Sequence, residues 1–211
     1  MEKYASLHRD YSYDTLTRKN LVSCPFQQFQ IWFNQAQLAK LIDYNAMSLS
    51  TVDKTGQPSS RIVLMKDFSK KGLLFFSTSI SQKGMELMAN PKAALLFYWP
   101  QFERQVRFEG LVEKVSSQES DDYFYSRPLE SRLGACASIQ SAVIKSRQIL
   151  ENELAAVKAK FGDNPPRPEY WNGYRLLPNK IEFWQGGKAR LHDRFVYKMQ
   201  NGKWEIFCLS P

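Results

Sequence analysis

The spacing of apolar residues along the chain changes from a helical period to a period of two. A helical stripe of apolar residues predicts a core helix that begins near Pro25. Its members are Phe26, Phe29, Phe33 and Ala36. From Ala46 onward, short segments rich in β-branched and aromatic residues are separated by turn residues, a pattern that predicts strands. These strands are expected at 46–52, 59–66, 73–78, 93–99, 104–115, 173–177, 180–185, 193–199 and 203–209.

Helices are predicted between these strands. A short helix is expected over 82–89, and another follows the capping-box sequence Ser116–Glu119 and ends before Pro128. A longer helix is expected near 141–161. Its apolar face consists of Leu150, Leu154, Val157 and Phe161. Because strands and helices do not alternate as in parallel α/β folds, the pattern predicts a mainly β fold with peripheral helices, either an antiparallel barrel or a sandwich.

The two ends of the chain differ in character. Residues 1–22 are polar and aperiodic, which predicts a flexible N-terminal arm or lid that is ordered only where it docks. Residues 23–211 contain no repeat and no Gly/Ser linker, and are expected to form a single domain. The longest apolar run, 93–99, is far too short to span a bilayer, and the N terminus has no apolar signal-peptide core. We therefore expect a cytoplasmic protein with no membrane partner.

The chain offers few residues that could hold a metal ion. Its three cysteines, Cys24, Cys136 and Cys208, are far apart and are not arranged as Cys-x-x-Cys. Its two histidines are His8 and His192. The cysteines are therefore expected to be reduced thiols, and no metal site is predicted.

The excess of positive charge favours an anionic partner. Lys and Arg outnumber Asp and Glu by 29 to 21, which gives a net charge of +8. The basic residues are dispersed, with Arg18-Lys19 and Lys70-Lys71 as the densest pairs, whereas nucleic-acid binding requires a basic block or face. The distribution predicts discrete pockets for phosphorylated small molecules and no nucleic-acid partner.

The segment Arg190–Arg194 carries three groups able to bind an anion or a heteroaromatic ring. If the segment is extended, Arg190, His192 and Arg194 project from one face, and His192 could exchange a proton near neutral pH. A salt-bridged strand with a hydrogen-bonded histidine is the more common explanation of such residues. Taken alone, the segment leaves both interpretations open.

Basic residues also lie at both ends of one predicted strand. Arg61 and Lys66 are five apart and would point to opposite faces of a regular strand. Either a local distortion or a Lys66 that lies beyond the strand end is needed to bring them together. Lys83, at a predicted helix start, could join them around a phosphate, which free backbone N–H groups also favour. Solvated charges at the ends of a strand and a helix are the alternative.

A third cluster lies on a predicted helix and its exit. Tyr123 and Arg127 are four apart, and Ser131 lies one further turn away if helical geometry persists. A phenol, a guanidinium and a hydroxyl could bind a phosphate. An arginine at a helix end beside a packed tyrosine accounts for the same pattern. Further groups able to read the polar edge of a heterocycle are Gln105, Gln140 and Ser141.

The order of these motifs is more specific than any one of them. The chain carries in succession Arg61-Ile-Val-Leu-Met-Lys66, Ser81-x-Lys-Gly84, Glu103-Arg-Gln-Val106, Tyr123-Phe-x-Ser-Arg-Pro128, Gln140-Ser141, Phe183-Trp-Gln-Gly186 and Arg190-Leu-His-Asp-Arg194. This succession resembles the pyridoxine/pyridoxamine 5′-phosphate oxidase family from about Leu7 to the C terminus. The resemblance implies an FMN-binding split β-barrel that forms homodimers with shared active sites.

The resemblance also implies, position by position, which residues bind. Those expected around flavin mononucleotide (FMN) are Arg61, Ile62, Lys66, Phe76, Ser77, Gln82, Lys83, Gln105, Gln140, Ser141, Trp184 and Arg194. Those expected to bind the substrate are His8, Tyr11, Lys66, Tyr123, Arg127, Ser131, Arg190 and His192. Of these, Arg190 and His192 are expected to be catalytic and to lie over the pyridine ring, while Tyr11 closes the site.

The implied reaction is the oxidation of pyridoxine 5′-phosphate or pyridoxamine 5′-phosphate to pyridoxal 5′-phosphate in vitamin B6 salvage. A hydride passes from C4′ of the substrate to N5 of FMN, and O2 reoxidises the flavin with formation of H2O2. The chain departs from the family pattern at His8, at Gln82, where arginine is common, and at Cys208. Gln82 is expected to weaken flavin binding, and His8 to make closure of the lid pH-sensitive.

Two other function classes fit parts of the sequence. A different flavin split-barrel enzyme, such as a flavin reductase or a deazaflavin-dependent enzyme, would need neither Arg127-Pro128 nor the Arg190–His192 segment. A non-catalytic basic module would bind nucleic acid with steep salt dependence, or retain pyridoxal phosphate without turnover. The presence of both motifs favours the oxidase, and the dispersed charge disfavours nucleic-acid binding.

Overall fold

The computed structural model describes residues 10–211, so the predictions for His8 lie outside the described residues. Within this range the strands are β1 Ala46–Val52, β2 Pro58–Leu64, β3 Asp67–Ser69, β4 Gly72–Thr78, β5 Lys92–Trp99, β6 Arg104–Lys114, β7 Trp171–Gln185, β8 Asp193–Gln200 and β9 Lys203–Leu209. The α-helices are α1 Pro25–Leu38, α2 Gln82–Ala89, α3 Ser117–Ser126, α4 Leu129–Ala137 and α5 Arg147–Phe161. Short 3₁₀ turns occupy Arg18–Asn20, Pro100–Phe102 and Lys188–Arg190.

The strands form one sheet whose order is β2-β1-β5-β6-β7-β4-β3, and β8 pairs with both β7 and β9. The pairings β3–β4, β4–β7, β7–β8 and β8–β9 are antiparallel. The mainly β class with added helices, predicted from the change of period, is therefore confirmed.

The long strand β7 corrects one prediction, because 173–177 and 180–185 are parts of a single strand. Its first part, Trp171–Leu176, pairs with β4, and its last part, Lys180–Gln185, pairs with β8. Pro178 lies between these two paired parts. Its missing backbone N–H is therefore not required by either pairing, and the strand continues through the proline.

The chain divides into two compact units. Among the described residues, the first unit contains 10–49, Ala94–Gly110 and Pro178–Pro211, and the second contains Ser50–Ala93 and Leu111–Leu177. The core of the first unit forms around α1, where the ring of Phe29 lies 5.0 Å from the rings of both Phe97 and Phe108. The predicted stripe of α1 is confirmed, since Phe26, Phe29 and Ala36 are buried and Phe33 is partly buried.

The second unit contains α2 to α5 and the strands around β4. The residues of β4 are buried at almost every position, as are Phe124 of α3 and Leu133 of α4. The helix expected near 141–161 begins only at Arg147, because Ser141 has a φ of 72° that a right-handed helix does not allow. The predicted apolar face of this helix is its least exposed side. Neither β3 nor α4 was predicted.

None of the helices formed by residues 10–211 combines the length and apolar character that crossing a bilayer requires.

Candidate functional site

The second unit contains a cavity of about 800 Å³, which is in the size range of small-molecule sites. Its wall is built from β2, the end of β4, the start of α2 and the junction of α3 with α4. The cavity brings together most of the site residues predicted from the sequence. Those on its wall are Arg61, Ile62, Lys66, Phe76, Ser77, Gln82, Lys83, Tyr123, Arg127, Ser131, Gln140 and Ser141.

The wall of this cavity is strongly basic. Arg61, Lys66, Lys83 and Arg127 all line it, and no acidic side chain is found among the described residues of the wall. β2 ends at Leu64, so Lys66 lies beyond the regular strand and shares a cavity with Arg61 despite the odd spacing. Such a concentration of cations favours an anionic ligand.

Lys83 ties the start of α2 to the segment that carries Gln140. The side chain of Lys83 is almost completely buried, and its Nζ donates a hydrogen bond of 2.9 Å to Oε1 of Gln140. The backbone N–H of Gln82 donates to Oγ of Ser141 at 3.2 Å. Burial and the charge of Arg61 lower the pKa of Lys83, while the carboxylate of Glu86 opposes the shift. This ammonium therefore lacks the hydration that an exposed lysine would have, and an anion would restore its stabilisation.

Aromatic rings form another part of the wall. The ring of Phe76 stacks on Tyr123 at 4.0 Å and on Trp171 at 5.1 Å between ring centres. Phe76 can stack here because its partner in β7 is Gly173, where a Cβ would come within 2.9 Å of the Phe76 ring. The Nζ of Lys66 lies 5.9 Å from the centre of the Tyr123 ring. The cavity thus combines flat apolar surfaces with cationic groups.

Arg127 has hydrogen-bonding capacity that the described residues do not use. Its guanidinium lies 4.9 Å from the centre of the Trp171 ring, and its Nη1 is buried without a hydrogen-bond partner among residues 10–211. Burial lowers the pKa of Arg127, with the nearby Tyr123 opposing the shift. A buried N–H group without a partner is costly, and an anionic ligand at this position would satisfy it.

The first unit contains a smaller cavity of about 270 Å³. The predicted flavin residues on its wall are Gln105, Trp184 and Arg194. Nε of Arg194 lies 2.8 Å from a carboxylate oxygen of the buried Glu182, and its Nη1 donates to the carbonyl oxygen of Ser210 at 2.8 Å. Arg194 is therefore held by the protein, as the salt-bridged interpretation of its segment expected.

The segment that carries Arg190 and His192 is not extended, so the condition under which Arg190, His192 and Arg194 would share one strand face is not met. Ala189 and Arg190 have positive φ values of 54° and 65°, and β8 begins only at Asp193. The chain therefore turns before it enters the strand, so the alternation of a strand does not apply to Arg190.

His192 is held in one protonation state by its surroundings. Its Nδ1 accepts a 3.1 Å hydrogen bond from the backbone N–H of Gly187, and its ring lies 4.6 Å from that of Trp184. Burial and the charges of Arg190 and Arg194 lower its pKa. The imidazole is therefore neutral at pH 7 with its proton on Nε2, which leaves Nε2–H as a hydrogen-bond donor.

Tyr11 packs on this turn. Its ring lies 5.4 Å from the ring of His192 and 5.7 Å from that of Trp184, and the guanidinium of Arg190 lies 5.7 Å from its centre. A Cβ at Gly186 would come within 2.6 Å of the Tyr11 ring, so glycine is required for this contact.

Carboxylates anchor the backbone that follows Tyr11. Oε2 of Glu103 accepts hydrogen bonds from the N–H groups of Ser12 and Tyr13 at 2.7 and 2.9 Å, and Asp193 accepts one from Leu16 at 2.8 Å. The described part of the predicted arm is thus docked within the first unit.

Comparison with known proteins then identifies the family. The family model described as pyridoxamine 5′-phosphate oxidase matches residues 33–161, and the model described as the pyridoxine 5′-phosphate oxidase C-terminal dimerisation region matches residues 171–211. Relatives named pyridoxine/pyridoxamine 5′-phosphate oxidase from Cupriavidus taiwanensis and Burkholderia mallei are 53% and 51% identical, each over 100% of both chains. The chain belongs to the pyridoxine/pyridoxamine 5′-phosphate oxidase family.

Solved structures share the fold of this chain. PhzG from Burkholderia lata, crystallised in complex with tetrahydrophenazine-1-carboxylic acid, has a TM-score of 0.89 and 30% identity, and the match covers 95% of this chain and 100% of that one. A pyridoxamine 5′-phosphate oxidase-related, FMN-binding protein from Nostoc punctiforme has a TM-score of 0.71 at 17% identity over 89% of this chain and 98% of that one. The likeness confirms the predicted split β-barrel fold class.

Three structurally prominent carboxylates of this oxidase-family chain were not identified from the sequence. Glu86 lies behind the basic cavity, Glu103 anchors the residues after Tyr11, and Glu182 binds Arg194. All three are buried. A single acidic residue normally indicates a solvent-exposed position, and the sequence carries no signal that these three are enclosed.

Proposed function

We propose that this protein oxidises pyridoxine 5′-phosphate and pyridoxamine 5′-phosphate to pyridoxal 5′-phosphate, with FMN as cofactor and O2 as electron acceptor. The observation that carries the proposal is the basic cavity of the second unit, which gathers four cationic side chains beside stacked aromatic rings. Membership of the oxidase family supports it. Both the substrates and the cofactor carry a phosphate, which explains why one cavity would need so many cations.

The residues of the cavity fit a flavin phosphate. Arg61, Lys83 and Ser141 would hold it, because the first two supply charge and the third a hydroxyl at the start of α2, where backbone N–H groups also favour an anion. Gln140 would position Lys83 through their 2.9 Å hydrogen bond. When bound, a flavin supplies an acceptor for a hydride, and O2 then removes the two electrons with formation of H2O2.

The substrate phosphate would be held at the junction of α3 and α4. The buried Nη1 of Arg127 has no hydrogen-bond partner in the described part of the chain, and a phosphate oxygen would satisfy it. Lys66 would add a second charge, and the hydroxyls of Tyr123 and Ser131 would add donors on the same wall. The combination of a planar guanidinium with a flexible ammonium suits a tetrahedral dianion.

The remaining catalytic assignments concern the turn before β8. His192 would donate a hydrogen bond from Nε2–H to the substrate, since Nδ1 is already occupied by Gly187. Arg190 would stabilise the negative charge that develops on the hydroxyl of pyridoxine 5′-phosphate as its proton leaves, and its own positive charge would favour the neutral amine of pyridoxamine 5′-phosphate over the ammonium. Replacing Arg190 by Met should lower turnover while flavin remains bound. Unchanged turnover in Arg190→Met would remove Arg190 from this role.

A homodimer with shared active sites is part of the proposal. It is supported by the match of residues 171–211, which include Trp184, Arg190, His192 and Arg194, to the dimerisation region of the family. Sedimentation equilibrium of the purified protein measures the mass directly. A mass near twice 24.5 kDa is expected, and a monomer at micromolar concentration would contradict the shared site.

One anaerobic experiment tests the reaction itself. The purified protein should take up FMN, show the yellow flavin spectrum, and lose that colour when pyridoxine 5′-phosphate is added without oxygen. Pyridoxine, which lacks the phosphate, serves as the control and should bleach the flavin far more slowly at equal concentration. Failure to take up flavin, or equal rates with the two compounds, would contradict the proposal.

A further inference from the structure

A buried carboxylate, Glu86, lies behind the basic wall of the second unit's cavity. Its side chain belongs to α2, only 6% of the residue is exposed, and it does not itself line the cavity. An enclosed carboxylate is stable only if hydrogen bonds or charges compensate for its lost hydration. Its partners therefore show what it does.

Four side chains compensate Glu86. Ser59 Oγ donates to both carboxylate oxygens, at 2.9 and 2.8 Å, and Gln82 Nε2 donates to Oε1 at 2.8 Å. Nη2 of Arg61 lies 3.3 Å from Oε2, and Thr51 Oγ1 donates to the same oxygen. Both oxygens of Glu86 are thus occupied by donors from three parts of the chain.

The partners connect Glu86 to the ligand side of the wall. Ser59, Arg61 and Gln82 all line the cavity. Thr51 is fully buried, and its hydroxyl accepts a hydrogen bond from Nη1 of Arg61 while it donates to Glu86. Arg61 is therefore fixed at both of its terminal nitrogens by groups that Glu86 orients.

Burial opposes ionisation of Glu86, yet the hydrogen bonds from Thr51, Ser59 and Gln82, together with Arg61, hold its pKa below the usual value. The group therefore carries its negative charge at neutral pH. A fixed negative charge behind a basic wall has two opposite effects on an anionic ligand. It reduces the attraction of the wall, and it holds the cationic group in one orientation.

We propose that Glu86 is a positioning residue for phosphate binding, one that orients Arg61, Gln82 and Ser59 so that the phosphate of the cofactor meets donors already in place. The inference rests on the proposed function, in which this cavity binds the phosphate of FMN. Orientation outweighs the loss of attraction because the cavity is open to solvent, where charge attraction is screened, whereas an unfixed arginine loses side-chain freedom on binding.

Glu86→Gln tests the proposal, since it removes the charge at almost constant size. Binding is measured with full-length apoprotein by quenching of flavin fluorescence, once with FMN and once with riboflavin, which lacks the phosphate. The Kd for FMN should rise about tenfold, the loss expected for one charge-assisted hydrogen bond, while that for riboflavin changes by less than about twofold. Glu119→Gln is the matched control, because Glu119 pairs with Arg175 at 2.6 Å in the same unit without lining the cavity. It should leave both Kd values unchanged.

Two results obtained with Glu86→Gln would overturn the inference. FMN binding that is unchanged or tighter in Glu86→Gln would show that attraction outweighs orientation, and an equal loss of FMN and riboflavin affinity would indicate general loosening. Should Glu86→Gln fail to fold, Thr51→Val decides by the same criterion, because it removes the hydroxyl that joins Glu86 to Arg61 at constant shape. Wild-type protein that binds no FMN would overturn the proposed function and this inference with it. Wild-type binding with an unaffected Glu86→Gln overturns the inference alone.

Discussion

Replacing Gly84 by alanine should destabilise the protein and lower the affinity of its basic cavity for FMN. Gly84 lies in the first turn of α2, and a Cβ there would come within 2.2 Å of the carbonyl oxygen of Thr78 and within 2.7 Å of Cα and O of Ser79. All of these are backbone atoms, so only a shift of α2 away from the end of β4 relieves the clash. Overpacking lowers the free energy of unfolding by about 1–3 kcal/mol, and we expect so close a contact with backbone atoms to lie at the upper end of this range. The gain in helix propensity offsets roughly 1 kcal/mol, which leaves a net loss of about 2 kcal/mol.

Gly134 provides the matched control, because it also lies inside a helix of the second unit, α4. A Cβ at Gly134 would meet no atom of residues 10–211 within 4 Å, and its φ is not positive. Gly134→Ala should therefore stabilise the protein by about 0.5–1 kcal/mol through helix propensity and the reduced entropy of the unfolded chain. For a chain of this size, 1 kcal/mol corresponds to about 2–4 °C in Tm.

Urea unfolding followed by tryptophan fluorescence, at one protein concentration and without flavin, measures both variants. The free energies of unfolding should differ by roughly 2.5–3 kcal/mol in favour of Gly134→Ala. FMN affinity should also fall in Gly84→Ala, since Lys83 and Gln82 move with the start of α2. A Gly84→Ala protein as stable as the wild type would refute the argument that backbone contact fixes α2 against β4.

Three further predictions concern individual side chains. Arg127→Ala should weaken binding of pyridoxal 5′-phosphate about 10–100-fold in an absorbance titration, as expected for a charged hydrogen-bond donor, and an unchanged affinity would contradict its role. Gln82→Arg should tighten FMN binding several-fold, on the order of a surface charge pair, because it adds a cation on the cavity wall beside Glu86; an unchanged Kd for FMN in a fluorescence titration would count against this. Burial and the charge of Arg190 lower the pKa of His192 from 6.5. As the pH falls, the unfolded chain therefore takes up the proton of His192 before the folded protein does. The free energy of unfolding should then decrease as the pH drops below 6.5. The free energy of unfolding, measured with urea at pH 7 and at pH 5.5, should change less between the two pH values in His192→Asn than in the wild type. An equal change in both proteins would contradict the lowered pKa of His192.

Much of the fold follows from local patterns in the sequence. The stripe of Phe26, Phe29 and Ala36 identified the buried face of α1, and Ser81 and Ser116 begin α2 and α3 by accepting hydrogen bonds from the N–H groups of Gly84 and Glu119. The spacing of apolar residues and the capping of helices depend on nearby residues alone, so both can be recognised without tertiary information. The position of Lys66 also has a local explanation. Because β2 ends at Leu64, the alternation of side chains along a strand does not apply to Lys66.

The candidate site depends more on tertiary structure. Ser141 has a positive φ without being a glycine, so nothing in its residue type indicated that the helix expected from 141 would begin at Arg147. In the sequence, Glu86 looks like an ordinary polar residue of a short helix. It can be buried because Thr51, Ser59 and Arg61, which belong to other segments, bind its carboxylate. Contacts between distant segments of this kind leave no periodic trace in the sequence.

The turn at Ala189 and Arg190 changes the meaning of the most recognisable motif in the chain. On one strand face, Arg190, His192 and Arg194 would have lined the same surface, whereas the structure gives each a different environment. Arg194 is bound by a carboxylate and a backbone carbonyl, and His192 is held through Nδ1. The guanidinium of Arg190 lies over the ring of Tyr11 and makes no hydrogen bond with any of residues 10–211. Of the three groups, Arg190 and His192 therefore keep donors that none of residues 10–211 uses, and the positive φ that places Arg190 outside β8 separates it from Arg194, which the protein itself binds.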